Sequence, residues 1–196
     1  MTRFPCCSRC GLTENNCICG CLPVLNSQCQ FWLLTHANEF SKDTNTGRLV
    51  KAILPETEVV AWSRVEPSER LLGLLSDSEI KTCLVFPEQY AIYQQEAAER
   101  TTASGSDCRK AFIIIDSTWQ QARKIYRQSP YLHGLPLLKL LPEQSSSYTL
   151  RRNQQPGHLC TAEVVAEVLR TRGEGGIPAA IDEALVQFCN GYKAGK

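Results

Sequence analysis

The chain has 196 residues, 43% of them hydrophobic, and a formal net charge of +1. This length is typical of one domain with a sizeable core. No apolar run approaches the roughly 18 residues of a transmembrane helix, and the opening residues, MTRFPCCSRC, lack the apolar stretch of a signal peptide. These features argue against a membrane-spanning or secreted protein, and they predict a cytoplasmic protein that does not contact a membrane.

Charged residues are distributed unevenly along the chain. Residues 37–100 hold 11 acidic and 7 basic side chains, whereas residues 109–172 hold 10 basic and 4 acidic ones. A basic half can meet the phosphates of a nucleic acid, although an ordinary solvated surface explains the same counts. Charge alone therefore leaves the partner open.

The N-terminal segment is rich in cysteine, and the cytosol keeps thiols reduced, so that clustered thiols there usually bind metal. The spacing C-x2-C-x6-C-x-C supplies the four soft ligands of tetrahedral zinc. Four thiolates leave no open coordination position, which predicts a structural zinc rather than a catalytic one. The predicted ligands are Cys7, Cys10, Cys17 and Cys19.

Two alternatives to this zinc site remain open. Cys6 or Cys21 could replace one of the four ligands, since both lie within a few residues of them. An iron–sulfur cluster would also use cysteine thiolates, but the C-x3-C-x2-C triad of radical enzymes is absent. We therefore expect a small zinc-binding segment at residues 1–27, followed by a larger domain at residues 28–196.

From residue 28 onward, the hydrophobic pattern predicts strands that alternate with helices. In chain order we expect a strand at 28–36, a helix at 45–54, a strand at 57–62, a helix at 68–75, a strand at 81–87, a helix at 88–100, a strand at 111–115, a helix at 119–128, a strand at 135–142 and helices at 161–170 and 178–192. Asn45 or Thr46 can cap the first helix, and Ser68 the second. The alternation predicts an α/β fold, a mostly parallel sheet with helices on both faces.

Ligands of such sheets collect at the carboxyl ends of the strands. His36 and Pro87 each lie at the end of a predicted strand, and the stretch IIIDSTWQQARK places Asp116 at the end of another. Ser117, Thr118 and Trp119 follow at once, where a helix N-terminus offers free N–H groups. This turn could face a ligand crevice. Alternatively, Asp116 and Thr118 are ordinary caps and Trp119 belongs to the core.

Several motifs together resemble the DTW-domain family. IIIDSTWQQARK contains its D-x-T-W signature, and further landmarks occur in register: the C-x2-C-x6-C-x-C head, HANE at 36–39, NTGRL at 45–49, LVFP at 84–87, YTLR at 148–151 and TAE at 161–163. The resemblance covers about residues 6–170. It departs at two positions, because a proline is commoner in the family where Ala37 stands and a serine where Cys160 stands.

This resemblance implies a tRNA-uridine aminocarboxypropyltransferase of the bacterial type. Such enzymes transfer the 3-amino-3-carboxypropyl group of S-adenosylmethionine to N3 of a uridine in tRNA, in bacterial relatives within the variable loop, and release methylthioadenosine. The resemblance also implies a SPOUT-like α/β fold, in which a knotted C-terminal region holds the co-substrate. Residues 28–196 would then be the catalytic domain.

For that reaction, Asp116 is our first choice for the carboxylate that takes the N3 proton or orients the base. Glu39 and Glu163 are alternatives, and the reaction could also proceed without a base. Trp119 could stack on the uracil or the adenine, or belong to the core. With Thr118, these make Asp116, Thr118 and Trp119 the expected catalytic group.

The transferred group carries an amine and a carboxylate of its own. Helix-start amides near Thr118 or Thr46 suit the carboxylate, and so does the guanidinium of Arg123 or Arg151, although Arg151 could instead contact a tRNA phosphate. His36 could be purely structural. The residues expected to contact the co-substrate are His36, Glu39, Thr46, Gly47, Arg48, Pro87, Ser117, Arg123, Arg151, Thr161 and Glu163.

Three other functions fit parts of the sequence. A zinc-containing RNA-binding protein without turnover would explain the cysteines and the basic half, but would not need S-adenosylmethionine. A redox or metal-handling protein would use the thiols directly. An RNA methyltransferase would use the same co-substrate and release S-adenosylhomocysteine instead of methylthioadenosine.

Overall fold

The computed structural model describes residues 5–91, 109–140, 146–150 and 158–195. The chain divides into two compact units. One, which we call the sheet unit, comprises Gln28–Phe40 and Thr57–Leu141. The other, which we call the helical unit, comprises Met1–Ser27, Ser41–Glu56 and Pro142–Lys196.

Five strands form the centre of the sheet unit. In chain order they are β1 (Cys29–Thr35), β2 (Glu58–Ala61), β3 (Ile80–Val85), β4 (Arg109–Asp116) and β5 (Leu137–Leu138). Their spatial order is β2-β1-β4-β3-β5, and every neighbouring pair is parallel. The predicted α/β fold with a parallel sheet is therefore confirmed.

Five α-helices complete the described elements. In chain order they are α1 (Gly47–Ile53), α2 (Glu69–Ser76), α3 (Trp119–Arg127), α4 (Thr161–Thr171) and α5 (Ile177–Ala194). The helices α2 and α3 belong to the sheet unit, and the other three to the helical unit. None of the helices in the described ranges is both long enough and apolar enough to cross a membrane.

The apolar composition of β4 explains its central position. Its residues are buried from position 111 to its end, as is typical of a parallel strand with neighbours on both sides. Ile113 and Ile115 belong to one apolar cluster with α2 and α3. Because successive side chains point to opposite faces, Phe112 and Ile114 lie on the other face, where they are also buried. Helices on that second face stay a prediction.

Three local predictions differ from the structure. Ser68 precedes α2, but its hydroxyl makes no capping hydrogen bond. Of the strand predicted at 135–142, residues 141 and 142 lie outside the described residues, and the rest contains only the two residues of β5, whose neighbour Pro136 has no N–H to extend the ladder. The helix predicted at 88–100 begins as a 3₁₀ turn, Glu88–Tyr90, and its remainder from residue 92 lies outside the described residues.

In the helical unit, α1, α4 and α5 pack against one another, and the N-terminal segment packs against α5. A Cβ atom at Gly191 of α5 would lie 2.9 Å from Cδ1 of Leu12, which is itself 2% exposed. Any side chain at this position would force Leu12 to shift, whereas glycine permits the close approach. Gly191 therefore marks where the cysteine-rich segment rests on the last helix.

We expect Leu71→Ala to destabilise the protein far more than Leu72→Ala. The two leucines are adjacent in α2, but Leu71 is 1% exposed within the apolar cluster and Leu72 is 38% exposed. Loss of the buried side chain leaves a cavity and should lower the free energy of unfolding by about 2–5 kcal/mol, against roughly 0.5 kcal/mol for the surface change. Denaturant titration measures both, and equal effects would contradict the packing described here.

Candidate active site and metal centre

The carboxyl ends of β1 and β4 lie side by side, because Thr35 pairs with Asp116 in the parallel register. The Thr35 hydroxyl donates a 3.2 Å hydrogen bond to Oδ2 of Asp116, and the His36 N–H donates a 3.1 Å bond to the Asp116 carbonyl. After β1 the chain continues to β2, on one side of this pair of strands. After β4 it continues to β5, on the other side. Ligands of α/β proteins bind at such switch points.

The turn after Asp116 is a capped helix start. Thr118 is the N-cap of α3, and its hydroxyl accepts from the N–H of Gln121. The Gln121 side chain reaches back and accepts from the N–H of Thr118 at 3.1 Å. This reciprocal capping box satisfies two helix-end donors. The expected cap at Thr118 is therefore present, and because Thr118 is exposed and Ser117 half-buried, the turn is also open to solvent; a ligand crevice at this turn stays a prediction.

The first turns of α3 carry an aromatic and cationic cluster. Trp119 is half-buried, and its ring is tilted against that of Tyr90 at a centroid distance of 6.3 Å. The guanidinium carbon of Arg123 lies 4.8 Å from the centre of the same Tyr90 ring, within the range of a cation–π interaction. Arg123 is exposed, so its remaining N–H groups face solvent rather than the core.

Residues after β1 and β3 flank this turn. The half-buried His36 is the N-cap of a 3₁₀ turn, Ala37–Glu39, and its Nδ1 accepts from the N–H of Asn38 at 3.2 Å. Glu39 is 7% exposed. Pro87 precedes the 3₁₀ turn Glu88–Tyr90 and is half-buried. The sheet unit therefore contains eight of the proposed site residues: His36, Glu39, Pro87, Asp116, Ser117, Thr118, Trp119 and Arg123.

The remaining described candidates lie at two helix starts of the helical unit. Asn45 caps α1 by accepting from the N–H of Arg48 at 3.3 Å. The Thr46 hydroxyl instead accepts from the N–H of Ala162, in the first turn of α4, at 3.3 Å. Thr46 therefore connects α1 to α4. The set in this unit is Thr46, Gly47, Arg48, Thr161 and Glu163, and Arg151 lies outside the described residues.

Glu163 organises the chain ahead of α4. Its Oε1 accepts from the N–H groups of Ser147 and Tyr148, at 2.7 and 3.3 Å, and its Oε2 accepts from the N–H of Cys160 at 2.8 Å. The Ser146 hydroxyl lies 2.7 Å from both oxygens. Glu163 is 6% exposed. A buried carboxylate that already accepts from so many donors is suited to holding the backbone in place, and less to taking a proton from a substrate.

The cysteine-rich segment brings four sulfur atoms together, as the spacing predicted. The Sγ atoms of the four lie within 4.8 Å of one another. Two of the separations are 3.7 Å, from Cys7 to Cys19, and 3.8 Å, from Cys10 to Cys17. Tetrahedral zinc with Zn–S bonds of 2.3 Å requires sulfur separations of about 3.8 Å. The site therefore fits a metal ion, and Cys6 and Cys21 are not part of the group.

The environments of these thiols also suit a cation. The backbone N–H of Cys10 donates to the sulfur of Cys7 and lowers its pKa to about 6. Burial raises the pKa of Cys10 and of Cys19. Four thiolates this close would repel one another, so that full ionisation requires a positive charge among them.

The sequence analysis did not identify Gln121, Trp62 or the residues at 146–148 that donate to Glu163. Gln121 was recoverable, because Thr118-x-x-Gln121 is the capping-box pattern. Trp62 was not, because only the fold stacks its ring on that of His36, at a centroid distance of 5.9 Å. The donors to Glu163 at positions 146–148 were likewise hidden in a polar segment without periodicity.

We expect Glu163→Gln to lower the free energy of unfolding by about 1–3 kcal/mol, because the amide would turn its NH2 group toward one of the backbone donors and leave it unsatisfied. Glu167→Gln is the matched control, one turn later in α4, where the half-buried carboxylate forms an ion pair with the exposed Arg170. Its loss should cost less than about 1 kcal/mol. Thermal or denaturant unfolding measures both; equal losses would show that Glu163 does not organise this region.

Comparison with known proteins identifies a DTW domain over residues 4–193. A relative from Drosophila melanogaster, named tRNA-uridine aminocarboxypropyltransferase 2, is 26% identical over 168 residues, which cover 83% of this chain and 64% of the relative. Proteins of the same name from Macaca fascicularis and Mus musculus are 29% and 28% identical over 173 residues, which cover 85% of this chain and 56% of each relative.

The chain thus spans between 56% and 64% of the length of these relatives. No solved structure is significantly similar to it. The domain match covers nearly the whole chain, and it includes the cysteine cluster, the D-x-T-W turn and the start of α4. On this basis, the chain belongs to the DTW-domain family.

Proposed function

We propose that the protein transfers the 3-amino-3-carboxypropyl group of S-adenosylmethionine to N3 of a uridine in tRNA, in the variable loop. The observation that carries this proposal is the placement of Asp116 at the switch point of the sheet, directly before the capped start of α3. Family membership and the names of the relatives support the reaction type.

The reaction forms one bond and breaks another. N3 of the uracil loses its proton and attacks the propyl carbon that is bonded to the sulfonium sulfur. The bond between this carbon and the sulfur breaks, and methylthioadenosine leaves. The sulfonium already activates that carbon, so the protein has to supply orientation and an acceptor for the proton. Asp116 is the proposed acceptor, held by the Thr35 hydroxyl at 3.2 Å. Glu39 is buried in the same unit and remains an alternative.

The start of α3 suits the anionic end of the transferred group. Its first turn presents backbone N–H groups and the positive end of the helix dipole, and Arg123 lies one turn further on. In the helical unit, the proposal assigns co-substrate contacts to Thr46, Gly47, Arg48, Thr161 and Glu163, and it assigns Arg151 as a cation for the carboxylate or for a phosphate. Trp119, half-buried beside Tyr90, is the proposed stacking surface for a base.

The surface of α3 suits a polyanion. Residues 117–142 contain four basic side chains and no acidic one. Three of the four, Arg123, Lys124 and Arg127, are exposed on this helix. Phosphate contacts of this kind supply much of the affinity for a nucleic acid and position it for chemistry. This charge supports tRNA as the partner.

The same proposal includes several finer features. It assigns a SPOUT-like architecture with a knotted C-terminal region that holds the co-substrate, a catalytic domain at 28–196 and a zinc-binding segment at 1–27. It assigns zinc to the four-cysteine centre, since the sulfur separations match that ion. It places the protein in the cytoplasm, because clustered cysteines without disulfides are typical of a reducing compartment.

We expect Asp116→Asn to lower kcat/KM for tRNA modification at least about 100-fold, the typical minimum contribution of a positioned acid or base. The assay is mass spectrometry of unmodified tRNA incubated with S-adenosylmethionine, with simultaneous detection of the nucleoside by-product. Asp77→Asn is the control, since Asp77 is exposed before the amino end of β3. If Asp116→Asn modified tRNA as fast as the wild-type protein, Asp116 would not be the proton acceptor.

The same assay separates the alternative functions. A uridine that gains the aminocarboxypropyl mass, together with methylthioadenosine, supports the proposal. A methyl gain with S-adenosylhomocysteine would instead identify a methyltransferase. Unchanged tRNA that nevertheless binds tightly would identify a binding protein without turnover.

We expect Cys10→Ser to lose its metal, whereas Cys21→Ser should retain about one zinc per chain, as four ligands suffice for a closed site. Cys10 is 0% exposed and belongs to the group of four, whereas Cys21 is exposed and lies outside it. The zinc content of each variant is measured as the zinc that is released when its thiols are chemically modified. Zinc loss from Cys21→Ser would revise the ligand set, and a change of metal content with redox state would favour a metal-handling protein.

A further inference from the structure

Gln121 connects the two strand ends of the candidate active site. In the first turn of α3, its Oε1 accepts from the N–H of Thr118 at 3.1 Å and from the Thr118 hydroxyl at 2.8 Å. Its Nε2 lies 3.4 Å from Nδ1 of His36, the residue that follows β1. One side chain thus joins the D-x-T-W turn after β4 to the histidine after β1.

These contacts fix the tautomer of His36. The backbone N–H of Thr118 can only donate, so the oxygen of the Gln121 amide must face it, and the NH2 group must face His36. Nδ1 of His36 also receives the N–H of Asn38 at 3.2 Å. Because both groups that face Nδ1 are donors, Nδ1 acts as an acceptor, and the neutral ring carries its hydrogen on Nε2.

The plane of the His36 ring is held as well. The ring stacks on Trp62, with an interplanar angle of 21°. Trp62 is fixed in turn, because its Nε1 donates a 2.9 Å bond to the hydroxyl of Ser129 and its backbone N–H donates a 2.8 Å bond to the Thr35 carbonyl. The hydrogen bonds that the described part of the chain makes to the His36 ring are both at Nδ1, and the residue is half-buried.

We propose that Gln121 is a positioning residue, which holds His36 so that its Nε2–H donates a hydrogen bond to the carboxylate of S-adenosylmethionine. The inference rests on the proposed function. A ligand at Nε2 must be an acceptor, because the neutral ring donates there. The nearby start of α3 favours an anionic acceptor over a neutral carbonyl. His36 then binds and orients the group being transferred, and it is not the base.

Gln121→Glu is the informative variant. A glutamate at this position of a capping box still accepts from Thr118, so the helix start is preserved. The second carboxylate oxygen would face Nδ1 of His36 with an acceptor in place of a donor, which favours a hydrogen on Nδ1. Gln121→Met removes the donor without adding a charge. Gln120→Glu adds the same charge at an exposed neighbour and is the matched control.

The first test is 15N NMR of the histidine rings in the protein without substrate. The chain has three histidines, so His133→Gln and His158→Gln identify the His36 resonances by elimination. We expect an unprotonated Nδ1 and a protonated Nε2 in the wild-type protein and in Gln120→Glu, and a shift toward Nδ1–H in Gln121→Glu. A wild-type ring protonated on Nδ1, or one unaffected by Gln121→Glu, would overturn the role of Gln121.

The second test is the affinity for S-adenosylmethionine and for its decarboxylated analogue. We expect Gln121→Glu and Gln121→Met to weaken binding of S-adenosylmethionine about 10- to 100-fold, the range for one hydrogen bond to a charged group. Binding of the analogue should stay at the wild-type level, and Gln120→Glu, which reports the effect of the added charge alone, should weaken binding of S-adenosylmethionine less than either Gln121 variant does. Equal weakening for both ligands, or none for either, would overturn the carboxylate as the acceptor.

The two tests separate this inference from the proposed function. The NMR result needs no ligand, so it decides the role of Gln121 by itself. A wild-type protein that fails to bind S-adenosylmethionine would overturn the proposed function, and with it the ligand assigned to His36. Thermal unfolding of each variant shows whether a loss of affinity reflects a loss of fold.

Discussion

The pairing of β1 with β4 is the constraint on which the candidate active site depends. Both strands are buried along most of their length, so a shift of one residue would turn every side chain to the opposite face. Packing thereby fixes the register that sets Thr35 beside Asp116. His36 and the start of α3 follow from it, since each is the continuation of one of the two strands.

Chemically similar carboxylates acquire different roles from the donors around them. Asp116 accepts from the Thr35 hydroxyl of the neighbouring strand, directly before a turn that is open to solvent. Glu163 receives hydrogen bonds from several backbone and hydroxyl groups, and it holds two pieces of chain that approach α4. Asp116 thus lies at a strand end beside a helix start, whereas Glu163 satisfies backbone N–H groups of segments that lie outside helices and strands.

The sequence predicted features that depend on local pattern. Four thiols with short spacing, strands that read as apolar runs and a helix start after Asp116 all appear where expected. Features that depend on distant partners were not predictable. The stacking of His36 on Trp62 requires the order of β1 and β2, and the shortness of β5 reflects an edge position beside Pro136. Ser68 precedes α2 as predicted but makes no capping hydrogen bond, because residue type alone does not determine where a hydroxyl points.

The approach of Leu12 to Gly191 couples the shape of the cysteine-rich segment to the packing of α5. Leu12 lies between the second and third cysteines of the metal centre, and its side chain lies against the last turns of α5. A loop of this kind takes its shape from the metal, and without the metal it loses that shape. Removal of a metal bound there would then loosen the packing against Gly191, and the neighbouring amides of α5 would exchange their hydrogens with solvent faster.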